Sequence, residues 1–95
     1  MKIVHDEKSS AFYVFENNLE IGELLYSIKE DNLIKLNSTW IEEDYRNQNL
    51  AITLTEAFIE FAKSKNLKII PICSFSKVYF KRNYEKHHEI LAPLK

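Results

Sequence analysis

Two short stretches of this chain carry residue types that could do chemistry. The first is Arg46-Asn47-Gln48-Asn49-Leu50-Ala51, which opens an amphipathic helix. A helix start leaves main-chain N–H groups without an intrahelical acceptor, beside the positive end of the helix dipole. That combination seats a phosphate or pyrophosphate. Asn47 and Asn49 suit a tight turn there, because Asn enters left-handed backbone conformations more readily than other side chains. The plainer reading of the same junction is a helix whose first turn is merely hydrated. The second stretch is Pro71-Ile72-Cys73-Ser74, where the only cysteine stands between a strand and a helix start. N–H groups aimed at sulfur in that position favour the thiolate, its nucleophilic form. The plainer reading of Cys73 is packing, since free cysteine is among the most buried residue types.

The elements that must position these residues can be read from pattern. Ala11–Glu16 is an aromatic and β-branched run, apolar on both faces, which predicts a covered strand. Asn17-Asn18 and Glu30-Asp31-Asn32 predict tight turns, so Glu20–Lys29 and Leu33–Ile41 are antiparallel neighbours, with Lys2–His5 as a short first strand. Gly22, inside a strand and the only glycine, points to a bulge or a close backbone approach. A helix over roughly Asn49 to Lys65 puts Leu50, Leu54, Ala57, Phe58, Phe61 and Ala62 on one stripe, with Asn66 as its left-handed stop. Leu67–Cys73 is a strand, parallel to Leu33–Ile41 because a helix separates them. Pro71 cannot donate a ladder hydrogen bond, so that strand is an edge there or splays from its neighbour. Ser74 is placed to cap a second helix from Phe75 to about Arg82, with Phe75, Val78 and Tyr79 on one face. The tail Tyr84–Lys95 predicts one helical turn.

Composition narrows the functions. The chain has 95 residues, with 13 basic against 14 acidic side chains. That size predicts a single domain over residues 1–95 with one core. Balanced charge leaves no basic stripe for nucleic acid. No apolar run reaches membrane-spanning length, and Met1–Asp6 lacks a secretory leader pattern. A lone cysteine forms no internal disulfide, which fits a reduced, cytoplasmic setting. A monomer or weak dimer is expected. His5 is expected on a terminal strand with its ring in solvent. His87 and His88 are expected on a surface tail, diverging and without the partners of a metal site.

The strand order, the Arg-x-x-Asn-x-Ala turn before a long helix, Trp40-Ile41 and Ile70-Pro71-Ile72-Cys73-Ser74-Phe75 together are similar to the GNAT superfamily of acetyl-CoA-dependent N-acetyltransferases. More narrowly, the chain resembles its miniature single-domain members with a Pro-x-Cys motif. The resemblance implies an α/β fold, an α+β sandwich with a mixed, mostly antiparallel sheet, a splayed parallel strand pair and two main helices. It implies that Arg46, Asn47, Gln48, Asn49, Leu50, Ala51 and Ile52 hold the pyrophosphate of coenzyme A through backbone amides. Asn49 stands where the family usually has Gly, a departure that lowers the affinity expected. Main-chain groups of Trp40 and Ile41 would pair with the pantetheine arm, and an N–H there would polarise the thioester carbonyl. Cys73 would be a catalytic residue, as a thiolate or an acetyl-cysteine.

Other family roles are less complete. Related sequences carry Asp-His-Thr where this chain has Asn37-Ser38-Thr39, so Ser38 replaces a histidine able to act as base. Tyr79 or Tyr84 would be the acid for the coenzyme A thiolate, although Tyr79 also belongs to an apolar stripe. Lys63/Lys65 and Lys81-Arg82 are solvated faces or contacts to the cofactor's 3′-phosphate. Trp40 lines the acceptor side or packs on the sheet. The leading function is acetyl transfer from acetyl-CoA to an unidentified amine, directly or through Cys73. The alternatives are a non-catalytic module binding acyl-CoA or a protein, and a small α/β interaction domain without cofactor.

Overall fold

The computed structural model of the protein describes residues 1–93. Strands β1 (Lys2–Asp6), β2 (Ala11–Glu16), β3 (Leu19–Lys29) and β4 (Leu33–Ile41) each turn back on the one before, in antiparallel pairs. A 3₁₀ segment, Glu43–Gln48, leads into α1 (Leu50–Ser64), and β5 (Lys68–Pro71) returns parallel to β4. Helices α2 (Ser74–Arg82) and α3 (Tyr84–His87) and a 3₁₀ turn, His88–Ile90, complete the described chain. Leu91 then bridges Ile69, so the tail runs beside the outer edge of β5. The sheet order β1-β2-β3-β4-β5 makes a mixed, mostly antiparallel sheet with α1 as its crossover.

Asparagine carries the turns. Asn17 and Asn18 have φ of 51° and 68°, and Asp31 and Asn32 have φ of 65° and 60°. Two successive left-handed residues match the twist of the flanking strands. Asn66, at φ 57°, stops α1. Its N–H donates to the Lys63 carbonyl at 3.1 Å and that of Leu67 to the Ala62 carbonyl at 2.9 Å. This double bond pattern satisfies carbonyls that a helix end would otherwise leave bare. Gly22 follows a bulge in which Ile21 has no partner across from Val14 and Phe15. It is also a close approach, since a Cβ there would lie 2.7 Å from Ile41 Cδ1 and 3.2 Å from the Trp40 carbonyl oxygen.

The register puts the buried strand residues on one face. Phe12 opposes Leu24, Tyr26 opposes Leu36, and Ile34 opposes Ile69. These pack with Leu54, Phe58 and Ala62 of α1 and with Tyr79 and Phe80 of α2 in one cluster. The other face carries Tyr13, Phe15, Glu23, Leu25, Ser38 and Trp40 by the same register, and no helix among the described residues covers it. Strand β2 is therefore covered on one side only, a correction to the sequence reading. Tyr13 and Phe15 stay half-buried among sheet neighbours.

Several further expectations change. Thr55 and Ile59 join the buried stripe of α1, where the final 3₁₀ turn packs beside it and His87 of α3 shares a hollow with Ile59. Val78 is 49% exposed, while Ser76, Tyr79 and Phe80 are buried. Ser74 is the first helical residue, Cys73 occupies the N-cap position, and no side chain caps α2. The ring of His5 lies over Phe12 at 4.0 Å and meets the Tyr26 hydroxyl at 2.7 Å instead of pointing to solvent. His87 is buried, with Nε2 3.2 Å from the Tyr79 hydroxyl and Nδ1 unpartnered among the described residues. Adjacent tail histidines diverge as expected, but α3 turns the first inward. The tail itself forms the expected helical turn, with Leu94 and Lys95 outside the described residues.

The strand gap has a cause that the sequence reading did not give. Leu25 pairs with Ser38 and Tyr26 with Leu36, so Asn37 is an extra residue in β4. A bulge shifts the alternation of main-chain groups along its strand. Below it, the Leu36 carbonyl faces β5 and accepts from both Ile72 and Cys73, at 3.0 and 3.3 Å. Above it, the Glu42 N–H reaches the Ile21 carbonyl at 2.7 Å, which fixes the phase at this end of β4. Glu42, Trp40 and Ser38 thus turn their main-chain groups toward β3. Parallel pairing ends at Leu36 and Pro71, while β4 continues to Ile41. Pro71 is not what parts the strands. Ile72 bonds to β4 and Ile69 bonds outward to Ala92, so Pro71 faces the outer edge, where a missing N–H costs nothing.

Two predictions test these elements. Asn66→Val should destabilise the fold by about 1–2 kcal/mol, the cost of a left-handed residue with a bulky Cβ, whereas Asn66→Gly should not. Urea unfolding of the two variants measures the difference. For His87, burial and then the nearby Lys86 and Lys63 charges hold the imidazole below its ordinary value of 6.5. The folded state thus resists a proton that the unfolded chain accepts, so stability is complete above 6.5 and falls as pH drops below it. His5 is shifted the same way by burial. Wild type should lose more stability between pH 7.5 and 5.5 than His87→Gln, and equal losses would refute this role.

Candidate functional site

The site begins where β4 ends. Ile41 and Thr39, by the alternation above, turn their main-chain N–H and C=O away from β3 and into the gap left by β5. Trp40 turns its own toward β3, opposite Glu23. The Ile41 carbonyl is engaged by Arg46, whose Nε donates to it at 2.9 Å. That bond orients the guanidinium, and no carboxylate pairs with it among the described residues. The 3₁₀ segment carries Arg46 past the strand end and stops at Asn49, which is left-handed at φ 57° and ψ 27°. Asn47 lies inside that segment and is not left-handed.

Asn49 is the N-cap of α1, and its side chain makes no capping bond. Its carbonyl accepts the Thr53 N–H at 3.1 Å, and Thr53 Oγ1 donates to it at 3.1 Å. The N–H groups of Leu50, Ala51 and Ile52 have no acceptor among the described residues. These are the free donors that a helix start offers, with the dipole and the Arg46 charge beside them. A cleft of about 340 Å³ opens here, lined by Thr39, Trp40, Ile41, Arg46, Asn49, Leu50, Ala51, Ile52 and Phe75.

The structure therefore gathers Trp40, Ile41, Arg46, Asn49, Leu50, Ala51 and Ile52 on one cleft, and leaves Asn47 and Gln48 off its wall. Sequence reasoning gave no site role to Thr39 or Phe75. Thr39 carried a signal, because it shares the strand phase of Ile41. Phe75 reaches the cleft only through the placement of α2. Cys73 is not on the wall but touches one lining residue: its Sγ lies 3.7 Å from Thr39 Oγ1. The thiol donates to Ser76 Oγ at 3.2 Å, and that hydroxyl donates to the Cys73 carbonyl at 2.9 Å. No histidine or carboxylate bonds to Cys73 among the described residues.

The remaining candidates lie elsewhere. Tyr79 is buried against His87, and burial raises its pKa. Tyr84 is 58% exposed and stacks on His88. Lys63 and Lys65 stand at the far end of α1, about 20 Å from the cleft at 1.5 Å per residue. Lys63 there pairs with Glu60 at 3.7 Å. Lys81 and Arg82 end α2 and line a different hollow. Among the described residues no group of three or more His, Cys, Asp and Glu could hold a metal, and no helix is long and apolar enough to cross a membrane.

Comparison with known proteins gives this arrangement a family. The chain is similar over 99% of its length to a GCN5-like protein of Staphylococcus aureus solved by NMR, of which it covers 90%, at 26% identity and a TM-score of 0.77. Its fold is also similar to a GNAT family acetyltransferase of Elizabethkingia anophelis with acetyl-CoA bound (20% identity, TM-score 0.64, 78% of this chain and 51% of that one). A third likeness is N-acetylglutamate synthase of Neisseria gonorrhoeae complexed with coenzyme A and N-acetyl-glutamate (7% identity, TM-score 0.69, 81% and 19%). The chain thus spans about half of one enzyme and a fifth of the other. No curated protein sequence matches it. The model of the GCN5-related N-acetyl-transferase family matches residues 11–90, and the chain belongs to that family.

Proposed function

We propose that this protein binds acetyl-CoA at the mouth of α1 and transfers the acetyl group to an amine. The observation that carries the reading is the set of free N–H groups at Leu50, Ala51 and Ile52, next to a strand gap into which Ile41 and Thr39 present main-chain groups. Donors at a helix start suit a diphosphate, and Arg46 adds a charge already oriented by Ile41. A slot between parted strands suits an extended arm bearing amides, which needs main-chain partners. Enzymes of similar fold with acetyl-CoA or coenzyme A bound support the same cofactor. When bound, acetyl-CoA supplies an activated thioester carbonyl.

Transfer starts from the neutral amine, an ammonium having first released one proton to solvent. A bond then forms from the nitrogen to the carbonyl carbon, the C–S bond breaks, and the nitrogen gives up a second proton to solvent as the thiolate takes one. The Ile41 N–H, unpaired across the gap, is placed to stabilise charge on the carbonyl oxygen. In this reading the reacting end lies by Thr39, which lines the cleft and whose Oγ1 is 3.7 Å from Cys73 Sγ. A route through an acetyl-cysteine needs the thiol proton removed first, and its hydrogen-bond partner is Ser76, a hydroxyl and not a base. Direct attack by the amine is therefore the favoured route. That same missing base is what supports a second reading, an acyl-CoA-binding module without turnover.

Coenzyme A titrated into the protein should perturb the amides of Ile41 and Asn49–Ile52, and excess ligand at 100 times Kd should stabilise the fold by about 2.7 kcal/mol. Asn49→Asp should weaken binding about tenfold or more, since a carboxylate there repels the phosphates. Unchanged affinity in that variant would move the diphosphate elsewhere. With labelled acetyl-CoA and an amine panel, Cys73→Ala should keep turnover within a few-fold of wild type. Label held covalently by wild type and lost in Cys73→Ala would instead establish the cysteine route. No product from either protein leaves the binding module.

A further inference from the structure

We infer that the uncovered sheet face holds the acceptor, a primary alkylammonium, on Glu23 between Tyr13 and Trp40. This rests on the acetyl-transfer reading for its purpose, but not for its observations. Residues of α1 and α2 line the cofactor cleft on one side of the sheet, so with that cleft filled a second molecule meets the parted strands from the other side. On that side the gap segment of β4 presents Ser38 and Trp40. The cross-strand row through Trp40 runs Trp40, Glu23 and Tyr13, on β4, β3 and β2. Directly opposed residues have Cβ atoms about 5 Å apart, so the carboxylate is flanked by an aromatic ring on each neighbouring strand.

Such a row has a chemical preference. Glu23 is half-buried and forms no ion pair among the described residues, where the carboxylates paired within 4 Å are Glu16 and Glu60. A carboxylate that is partly desolvated and unpaired gains most from a cation brought to it. Rings beside it add attraction for an ammonium through their π faces. Trp40 is 41% exposed, so part of its side chain is open to a ligand. The row of Leu25 on one side carries Asp6, the row of Phe15 on the other carries Lys2 and Glu20, and Lys35 stands farther along opposite Ser27, none paired with Glu23. An alkyl stem would then lie over Leu25, beside Glu23 on the same face, and the nitrogen would stand one residue from the Thr39 end of the cofactor gap.

The test is an NMR titration of the whole chain at low salt with n-butylammonium chloride and with 1-butanol, its neutral counterpart in length. The ammonium should shift the Glu23 amide and the Trp40 indole, and bind at least fivefold more tightly than the alcohol. Glu23→Gln, a change on a strand surface that leaves the fold intact, should abolish that preference. Equal binding of the two probes, or a preference that survives Glu23→Gln, overturns the inference. Coenzyme A titrated into the same variant should bind as in wild type, because Glu23 is not on the cofactor cleft. The two readings fail separately. Cofactor binding without the ammonium preference removes this inference alone, and a Glu23-dependent preference without cofactor binding removes acetyl transfer while leaving an amine site.

Discussion

One extra residue in β4 sets the arrangement on which the rest depends. Asn37 has no partner in β3, and past it the strand's donors and acceptors change sides. Leu36 still serves β5, and does so doubly, taking the amides of Ile72 and Cys73. The next group that β5 would need belongs to Ser38, and it points to β3. The parallel ladder therefore has nothing to continue on, and the strands part without any broken bond to compensate. An interior gap made by deleting hydrogen bonds would leave buried donors unsatisfied, at a cost of about 1–3 kcal/mol each. A gap made by a change of phase leaves them at an accessible cleft instead. The same shift delivers Ile41 and Thr39 main-chain groups to that cleft.

Local chemistry then holds the cleft's mouth in shape without a ligand. Arg46 ties the 3₁₀ segment back to the strand end through the Ile41 carbonyl. Gly22 lets β3 come against that same strand end, where any side chain would press on Ile41 and the Trp40 carbonyl. Leu50 and Leu54 anchor the first turns of α1 in the core. A loop fixed at both ends in this way gives up little further entropy on binding.

The fold was legible because its signals were local. Pairs of turn-forming residues fixed the hairpins, the 3.6-residue stripe fixed α1, and the spacing of a helix between two strands fixed the parallel pair. The junction at 46–52 was legible for the same reason, since a helix start exposes donors wherever it occurs. What escaped was tertiary. A bulge is a count of two residues against one in a pairing, and the types Asn37-Ser38-Thr39 do not state it. Pro71 marked the right place for a reason that belongs to the other edge of its strand. His5 and His87 look like surface residues in a polar sequence, and their burial depends on Phe61 and on α1, far along the chain. Thr39 and Phe75 reach the cleft through strand phase and helix placement, which no short motif contains.

Asn49 shows how the chain reconciles these demands with a single glycine in its sequence. The turn into α1 requires φ of 57°, which glycine adopts freely and asparagine at modest cost. A glycine there would also enlarge the conformational freedom of the unfolded chain, so asparagine recovers part of its cost through the unfolded state. Its amide makes no cap bond, and it lines the cleft. It is therefore a polar group kept at an anion-favouring helix start with its hydrogen-bonding capacity unspent. An amide has both a donor and an acceptor. Turned one way it adds a donor to the three free N–H groups, and turned the other it competes with an anion for them. Under the proposed function, the residue that sets the backbone of the turn is thus also the one best placed to tune how tightly the turn would hold a phosphate.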